Sequence, residues 1–196
     1  PDYSLAHNNL GLVLADSGKE REALDCYLAA IEFSPNFSSA HDNLGNLYSR
    51  LGYHKKAINH YEEAIRKDSR NASALNNLGT LLKELGRNEE ARRHYENAIS
   101  VVPDFAEGYN NLGTLSLSEG KFKQATENFR KAITIKPQYF DAYSNLIFSI
   151  VSEVKTSAED VLIEAAGFSE ICSEKSLDKY VNWNSDCESS VLKVGF

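Results

Sequence analysis

One interval governs this chain. Leu10-Gly11, Leu44-Gly45, Leu78-Gly79 and Leu112-Gly113 stand 34 residues apart. The same step relates Gly18, Gly52, Gly86 and Gly120, then Ala23, Ala57, Ala91 and Ala125. It also relates Ala30-Ile31, Ala64-Ile65, Ala98-Ile99 and Ala132-Ile133. Several registers repeating in phase define a repeat architecture, in which each unit buries its apolar face against its neighbours.

The first unit shows how each repeat folds. Leu10, Gly11 and Leu14 fall at helical spacing, and Gly18 stops the helix because glycine enters the left-handed region at no steric cost. Ala23, Tyr27, Ala30 and Ile31 then make the apolar stripe of a second amphipathic helix. Pro35 closes the unit, as Pro103 and Pro137 close the third and fourth, whereas Ser69 occupies that place in the second. The small Gly and Ala positions let two helices approach closely. Tyr27, Tyr61, Tyr95 and Phe129 fill the remaining space, so these residues are read as packing rather than chemistry.

On these positions the chain resembles the tetratricopeptide repeat proteins. The resemblance implies an all-α, right-handed superhelical solenoid of helix-turn-helix units, with the leading helix of each unit on the inner face. Four repeats are expected, at 4–37, 38–71, 72–105 and 106–139. A partial fifth repeat with a capping helix is expected at 140–175, and a linker with the first strand of a truncated catalytic domain at 176–196.

On the expected inner face, two residues before each glycine position, stands an asparagine: Asn9, Asn43, Asn77, Asn111 and Asn145. Asn is a middling helix former, and its side-chain amide both donates and accepts hydrogen bonds. Neighbouring helices lie ~8–10 Å apart, and an extended peptide rises ~3.3 Å per residue. One Asn per repeat therefore suits about every third main-chain amide of an extended segment. The alternative is that these amides bond to one another or to nearby carbonyls and fix the stacking. Flanking inner-face candidates are Asn8, Asp42, Asn76 and Asn110 one residue earlier, and Asn46, Thr80 and Thr114 three residues later. Some repeat proteins hold a C-terminal carboxylate with Lys and Arg from this face. Here the corresponding places hold Asn8, Leu12 and Ser73.

Other chemistry finds no constellation. His7 and His41, like His60 and His94, are equivalent positions one repeat apart, too distant to share a metal ion at ~2.0–2.1 Å per ligand. Glu62-Glu63 and Glu89-Glu90 read as solvated outer faces. Cys26, Cys172 and Cys187 show no CxxC spacing, which argues against a zinc site or a disulfide framework and for a reducing compartment. Asn36-Phe37-Ser38 and Asn71-Ala72-Ser73 match the glycosylation sequon, but no secretion signal accompanies them. No catalytic residues, cofactor or metal ligands are identified.

Charge separates the repeats from the C-terminal segment. Residues 1–139 carry a net −1 and residues 140–196 a net −6. The repeats offer no basic stripe for nucleic acid, and no apolar run reaches the ~18–20 residues that span a bilayer. In the C-terminal segment Ile147, Val154 and Glu159 replace the repeat's Gly, Gly and Ala. Ser157 with Glu159 and Asp160 reads as a helix start, continued by Val161, Ala165, Phe168 and Ile171. Val191-Leu192-Lys193-Val194-Gly195-Phe196 reads as a strand that needs a sheet to join. The chain opens on Pro1 and contains no Met, as a piece of a longer polypeptide would.

The phrases Ala40-His41-Asp42-Asn43-Leu44-Gly45, Ala74-Leu75-Asn76-Asn77-Leu78-Gly79 and Asp141-Ala142-Tyr143-Ser144-Asn145-Leu146 are similar to repeats of the O-linked N-acetylglucosamine transferases. The junction at 140–196 resembles the passage from repeats to catalytic domain in bacterial-type members of that family. Those enzymes and the related protein O-fucosyltransferases bind acceptor polypeptides along an inner asparagine ladder. The resemblance implies a substrate-recruiting arm for a protein O-glycosyltransferase, whose nucleotide-sugar donor would bind beyond Phe196. The other reading is a stand-alone interaction scaffold. Either way the expected partners are extended peptide segments, with neither nucleic acid nor membrane. A homodimer through the outer helices and a cytoplasmic location (nuclear also, in a eukaryote) complete the expectations.

Overall fold

The computed structural model describes residues 3–153 and, apart from them, Ala166. Nine helices occupy the described residues, with no strand among them. They are α1 Tyr3–Asp16, α2 Glu20–Phe33, α3 Ser38–Arg50, α4 His54–Lys67, α5 Ala72–Glu84, α6 Asn88–Val101, α7 Ala106–Ser118, α8 Phe122–Ile135 and α9 Phe140–Ser152. Each expected repeat thus holds one helix pair, and α9 is the leading helix of the partial fifth. The expected capping helix from Ser157 and the strand Val191–Phe196 lie outside the described residues.

Within each repeat the two helices pack antiparallel, and each second helix packs on the first helix of the next repeat. The odd-numbered helices also touch one another in sequence, whereas the even-numbered ones do not. A stack whose members meet along one side and splay along the other must curve. The odd helices α1, α3, α5, α7 and α9 therefore line the concave side, as the repeat resemblance implies.

Glycine makes the close pairing of helices possible. A Cβ built on Gly45 would lie 2.6 Å from the Tyr61 ring, and one on Gly113 2.6 Å from Phe129. Only a residue without a side chain lets the aromatic lie flat against the inner-helix backbone. The rings are accordingly sealed, with Tyr27, Tyr61, Tyr95 and Phe129 all buried beside fully buried alanines.

The turns are also set locally. Gly18, Gly52, Gly86 and Gly120 have φ of 75°, 77°, 76° and 73°. Each closes its helix with the paired bonds of a Schellman motif, such as Gly52 N–H to Ser49 C=O at 2.9 Å and Tyr53 N–H to Tyr48 C=O at 2.9 Å. At the repeat boundaries Phe37 N–H bonds Ser34 C=O at 3.0 Å, around Pro35. The second boundary, with Ser69 in place of proline, makes the same bond from Asn71 N–H to Asp68 C=O at 3.1 Å. The substitution leaves the turn unchanged because its geometry needs no N–H from that position.

Candidate functional site

The five phased asparagines all lie on the concave helices, and four of them make one recurrent bond. Asn43 Nδ2 donates to Asn8 Oδ1 at 2.9 Å, and Asn77 Nδ2 to Asp42 Oδ1 at 3.0 Å. Asn111 Nδ2 donates to Asn76 Oδ1 at 2.9 Å, and Asn145 Nδ2 to Asn110 Oδ1 at 3.2 Å. In every case the donor reaches back 35 residues, to the position one before the previous repeat's own ladder asparagine. The row is thus an inter-repeat seam, and the stacking role weighed from the sequence is physically present.

The seam leaves part of each amide unused. A primary amide has two N–H donors and an acceptor oxygen, and the seam bond uses one N–H. Asn43, Asn77, Asn111 and Asn145 remain partly exposed and Asn9 is exposed. Asn77 Nδ2 also lies 3.3 Å from Ser73 Oγ. The ladder therefore presents pre-oriented amides to the groove. Each is fixed from behind, so little rotamer freedom remains to be lost on binding.

The flanking candidates divide into two groups. Asn8, Asp42, Asn76 and Asn110 are buried, at 4%, 5%, 8% and 7% exposure, and face the next repeat rather than the groove. Their place is a correction to the expectation of an inner-face contact surface. Helix geometry turns a residue ~100° from its neighbour, so the position before the ladder falls in the inter-repeat seam. Asn46, Thr80 and Thr114 are partly exposed, and Asn46 and Thr80 line a cleft beside Asn77. Tyr61 Oη donates to Asn46 Oδ1 at 2.8 Å, and Tyr95 Oη lies 3.3 Å from Thr80 Oγ1. Thr80 and Thr114 hydroxyls donate back to the Asn76 and Asn110 carbonyls at 3.1 and 2.9 Å. In the fourth repeat Phe129 replaces the tyrosine, and no hydroxyl reaches Thr114 from that position.

These rows meet in a cleft of about 310 Å³ on the concave side, bounded by Asn46, Arg50, Tyr61, Asn77, Thr80 and Glu84. Asp42 lies behind it as a carboxylate among amides. Burial pushes its carboxyl above the usual range, and the hydrogen bonds from Asn77 and Ser73 oppose that shift. Burial likewise raises the Tyr61 hydroxyl, with the Asp42 charge adding to it.

The histidines that are equivalent along the repeat period stand apart, but two unlike ones meet across a repeat. His41 on α3 and His60 on α4 bring their Nδ1 atoms to 3.4 Å, and the His60 ring stacks on Tyr48 at 5.4 Å. Burial first, and for His60 then the His41 charge, holds both imidazoles below the usual range, and the tautomer decides which ring donates. The two rings stand 19 residues apart, at positions that are unlike within the repeat, so the period of 34 gives no signal of their contact. Among the described residues no group of three or more His, Cys, Asp or Glu could hold a metal ion. No helix among them is long and apolar enough to cross a membrane. Glu63 forms an exposed ion pair with Arg66 on its own helix, and Glu90 one with Arg87, the residue just before its helix.

Comparison with known proteins agrees with this geometry. Family profiles for the tetratricopeptide repeat match residues 11–52 and 50–86, and a further one matches 70–138. The matched segments run from the first repeat to the end of the fourth, and the chain is a tetratricopeptide-repeat protein with a TPR-type helical solenoid. Among solved structures it is similar to PilF of Pseudomonas aeruginosa, with a TM-score of 0.77 and 27% identity over 86% of this chain and 76% of that one. It also resembles a MamA structure, with a TM-score of 0.71 and 22% identity over 85% of this chain and 96% of that one. A third is YrrB, described as a TPR protein with an unusual peptide-binding site, with a TM-score of 0.62 and 22% identity over 89% of each chain. No curated protein sequence matches the chain.

Proposed function

We propose that the concave face of this protein-interaction module grips an extended polypeptide through the amides of Asn43, Asn77, Asn111 and Asn145, with Asn9 continuing the row. The observation that carries the reading is the recurrent bond to the preceding repeat. It holds each amide in one orientation, uses one N–H and leaves the amide oxygen outside the seam bond; in Asn77 the second N–H meets Ser73 Oγ. Contacts of this kind recognise main chain and tolerate varied side chains. Asn46, Thr80 and Thr114 extend the polar surface, while Asn8, Asp42, Asn76 and Asn110 act as supports from behind.

The test is binding of unstructured peptides to the wild-type chain and to the triple variant Asn43→Ala, Asn77→Ala, Asn111→Ala. At about 0.5–1.5 kcal/mol per hydrogen bond, the triple variant should bind at least tenfold more weakly. Unchanged affinity in a variant that keeps its helicity would remove the ladder from the site.

Beyond peptide capture, the resemblance of the ladder and of residues 140–196 to the O-linked N-acetylglucosamine transferases supports a role as the recruiting arm of a nucleotide-sugar-dependent glycosyltransferase. An arm of that kind delivers Ser or Thr hydroxyls to the donor sugar. The natural full-length polypeptide, assayed with a panel of nucleotide-sugars, should transfer sugar to protein and lose acceptors, not donor binding, in the triple variant. Absence of donor binding would leave the stand-alone scaffold, with which the groove geometry is equally compatible.

A further inference from the structure

A second surface, on the edge where the intra-repeat turns lie, differs from one junction to the next. Residues 24, 58 and 92 are equivalent positions of repeats one to three, and 51, 85 and 119 are equivalent positions of repeats two to four. Where repeats one and two meet, Leu24 and Leu51 both pack against the buried cluster of Ala23, Tyr27 and Leu44. Between repeats three and four the same positions are Arg92 and Glu119, joined by an ion pair to which Lys121 adds a second cation. Each of these junctions is closed, one by apolar packing and the other by charge.

The middle junction is closed by neither. Ile58 packs inward, but Leu85 remains 41% exposed and Tyr53 55% exposed. Between them opens a cleft of about 660 Å³, bounded by Tyr53, Lys55, Lys56, Ile58, Leu85 and Arg87. Its walls are apolar and its rim is cationic, because Gly52–Ile58 carries two lysines and no acid. Lys56 Nζ is held 5.1 Å over the Tyr48 ring and 5.4 Å from that of Tyr53. Lys55 forms no ion pair among the described residues. Arg87, at the N-cap of α6, is paired with Glu90 in its first turn. The pair that neutralises the next junction, Arg92 with Glu119, has no counterpart here.

We propose that this edge cleft docks an acidic peptide segment of a partner protein, with one aliphatic or aromatic side chain seated on Tyr53, Ile58 and Leu85 and flanking carboxylates on Lys55 and Lys56. The reason is charge complementarity around an apolar floor. An uncharged apolar segment would leave two lysines unneutralised at the rim, and a basic one would be repelled. The site is on the turn edge, away from the ladder amides, so its occupant differs from the main-chain ligand of the groove.

The probe is a fluorescein-labelled decapeptide of Asp, Glu and Ser around a single Phe, titrated against the chain by fluorescence anisotropy. Its Asn/Gln/Ser counterpart serves as the neutral control. The acidic probe should bind more tightly than the neutral one and lose affinity as salt screens the rim. Lys55→Glu with Lys56→Glu should weaken it by about tenfold or more, since like charges then face the carboxylates. Leu85→Ser should weaken it severalfold with little change in salt dependence. Lys123→Glu with Lys131→Glu, the same change in net charge elsewhere, should leave affinity unaltered. Equal binding of both probes, or an equal loss in the two lysine double variants, overturns the proposal. Far-UV circular dichroism confirms that each variant keeps its helices, which exposed lysines do not determine.

Discussion

Along the concave seam, one bond to the preceding repeat recurs at four of the five ladder asparagines, with a single partner change, Asp42 for Asn. Along the turn edge, three equivalent junctions are built three ways: Leu24 with Leu51, Ile58 with Leu85, and Arg92 with Glu119. The seam is uniform because every repeat must present the same face to its neighbour at the same rotation, and a misplaced amide there would be buried without a partner. The edge is free to vary because its residues sit at the rim of the core, where water can solvate whatever the pair leaves unmet. Uniformity marks what the stack requires. Variation marks where individual junctions can acquire separate partners.

The comparison can be broken most forcefully at the seam's foundation. Gly45→Val drives a branched side chain into the Tyr61 ring, which a Cβ alone already approaches to 2.6 Å. The expected loss is about 3 kcal/mol, at the upper end for overpacking, read as a shift in the urea midpoint. Full stability in that variant would show that the aromatic can leave the inner helix freely.

Asn77→Ala comes next. It removes the donor to Asp42 and leaves a buried carboxylate with one support fewer. Stability should fall by about 1–3 kcal/mol, the range for an unsatisfied buried group. Asn145→Ala, at the end of the described seam, should cost less because its bond is longer, at 3.2 Å. Equal costs would mean that the carboxylate plays no special part.

Asp42→Asn sharpens the same point with the opposite sign. The Asp42 carboxyl titrates higher in the fold than in the unfolded chain, chiefly because it is buried. Its contribution is therefore fully favourable below the unfolded pKa and is lost as pH rises through the folded one. At pH 7 the amide, which restores the pattern of the other repeats, should stabilise the protein by about 1 kcal/mol. That advantage should vanish below about pH 4, as thermal unfolding across pH would reveal. A variant no more stable than wild type at pH 7 would contradict the burial cost.

The smallest effect belongs to the edge. Ile58→Arg with Leu85→Glu copies the charged junction of repeats three and four into the open one. Because partly exposed ion pairs contribute little, stability should change by no more than about 1 kcal/mol, while the acidic probe loses its cleft. A large destabilisation would place Ile58 and Leu85 in the core instead of at its rim.

Much of this protein was legible before any coordinates. The glycine, alanine and aromatic positions repeat because contacts between successive units repeat, so the helix pairs and their turns followed from spacing. The ladder asparagines could also be found, but not their partners. Each partner lies one residue off the repeat register, and which side of Asn43 faces the groove depends on how adjacent helices rotate. The His41–His60 contact escaped for a related reason: it joins two positions that are unlike within the repeat. The edge cleft was invisible because residues 58 and 85 follow no repeated pattern.

The sequence by itself therefore determined the helix pairs, their closures and the polar row, since these depend on local backbone preference and on a period that every unit shares. The tertiary structure alone decided that Asn8, Asp42, Asn76 and Asn110 support the ladder from within the seam, and that one junction of the edge stays open. Those outcomes depend on the rotation and spacing between stacked units, a property of surfaces in contact that no single repeat encodes.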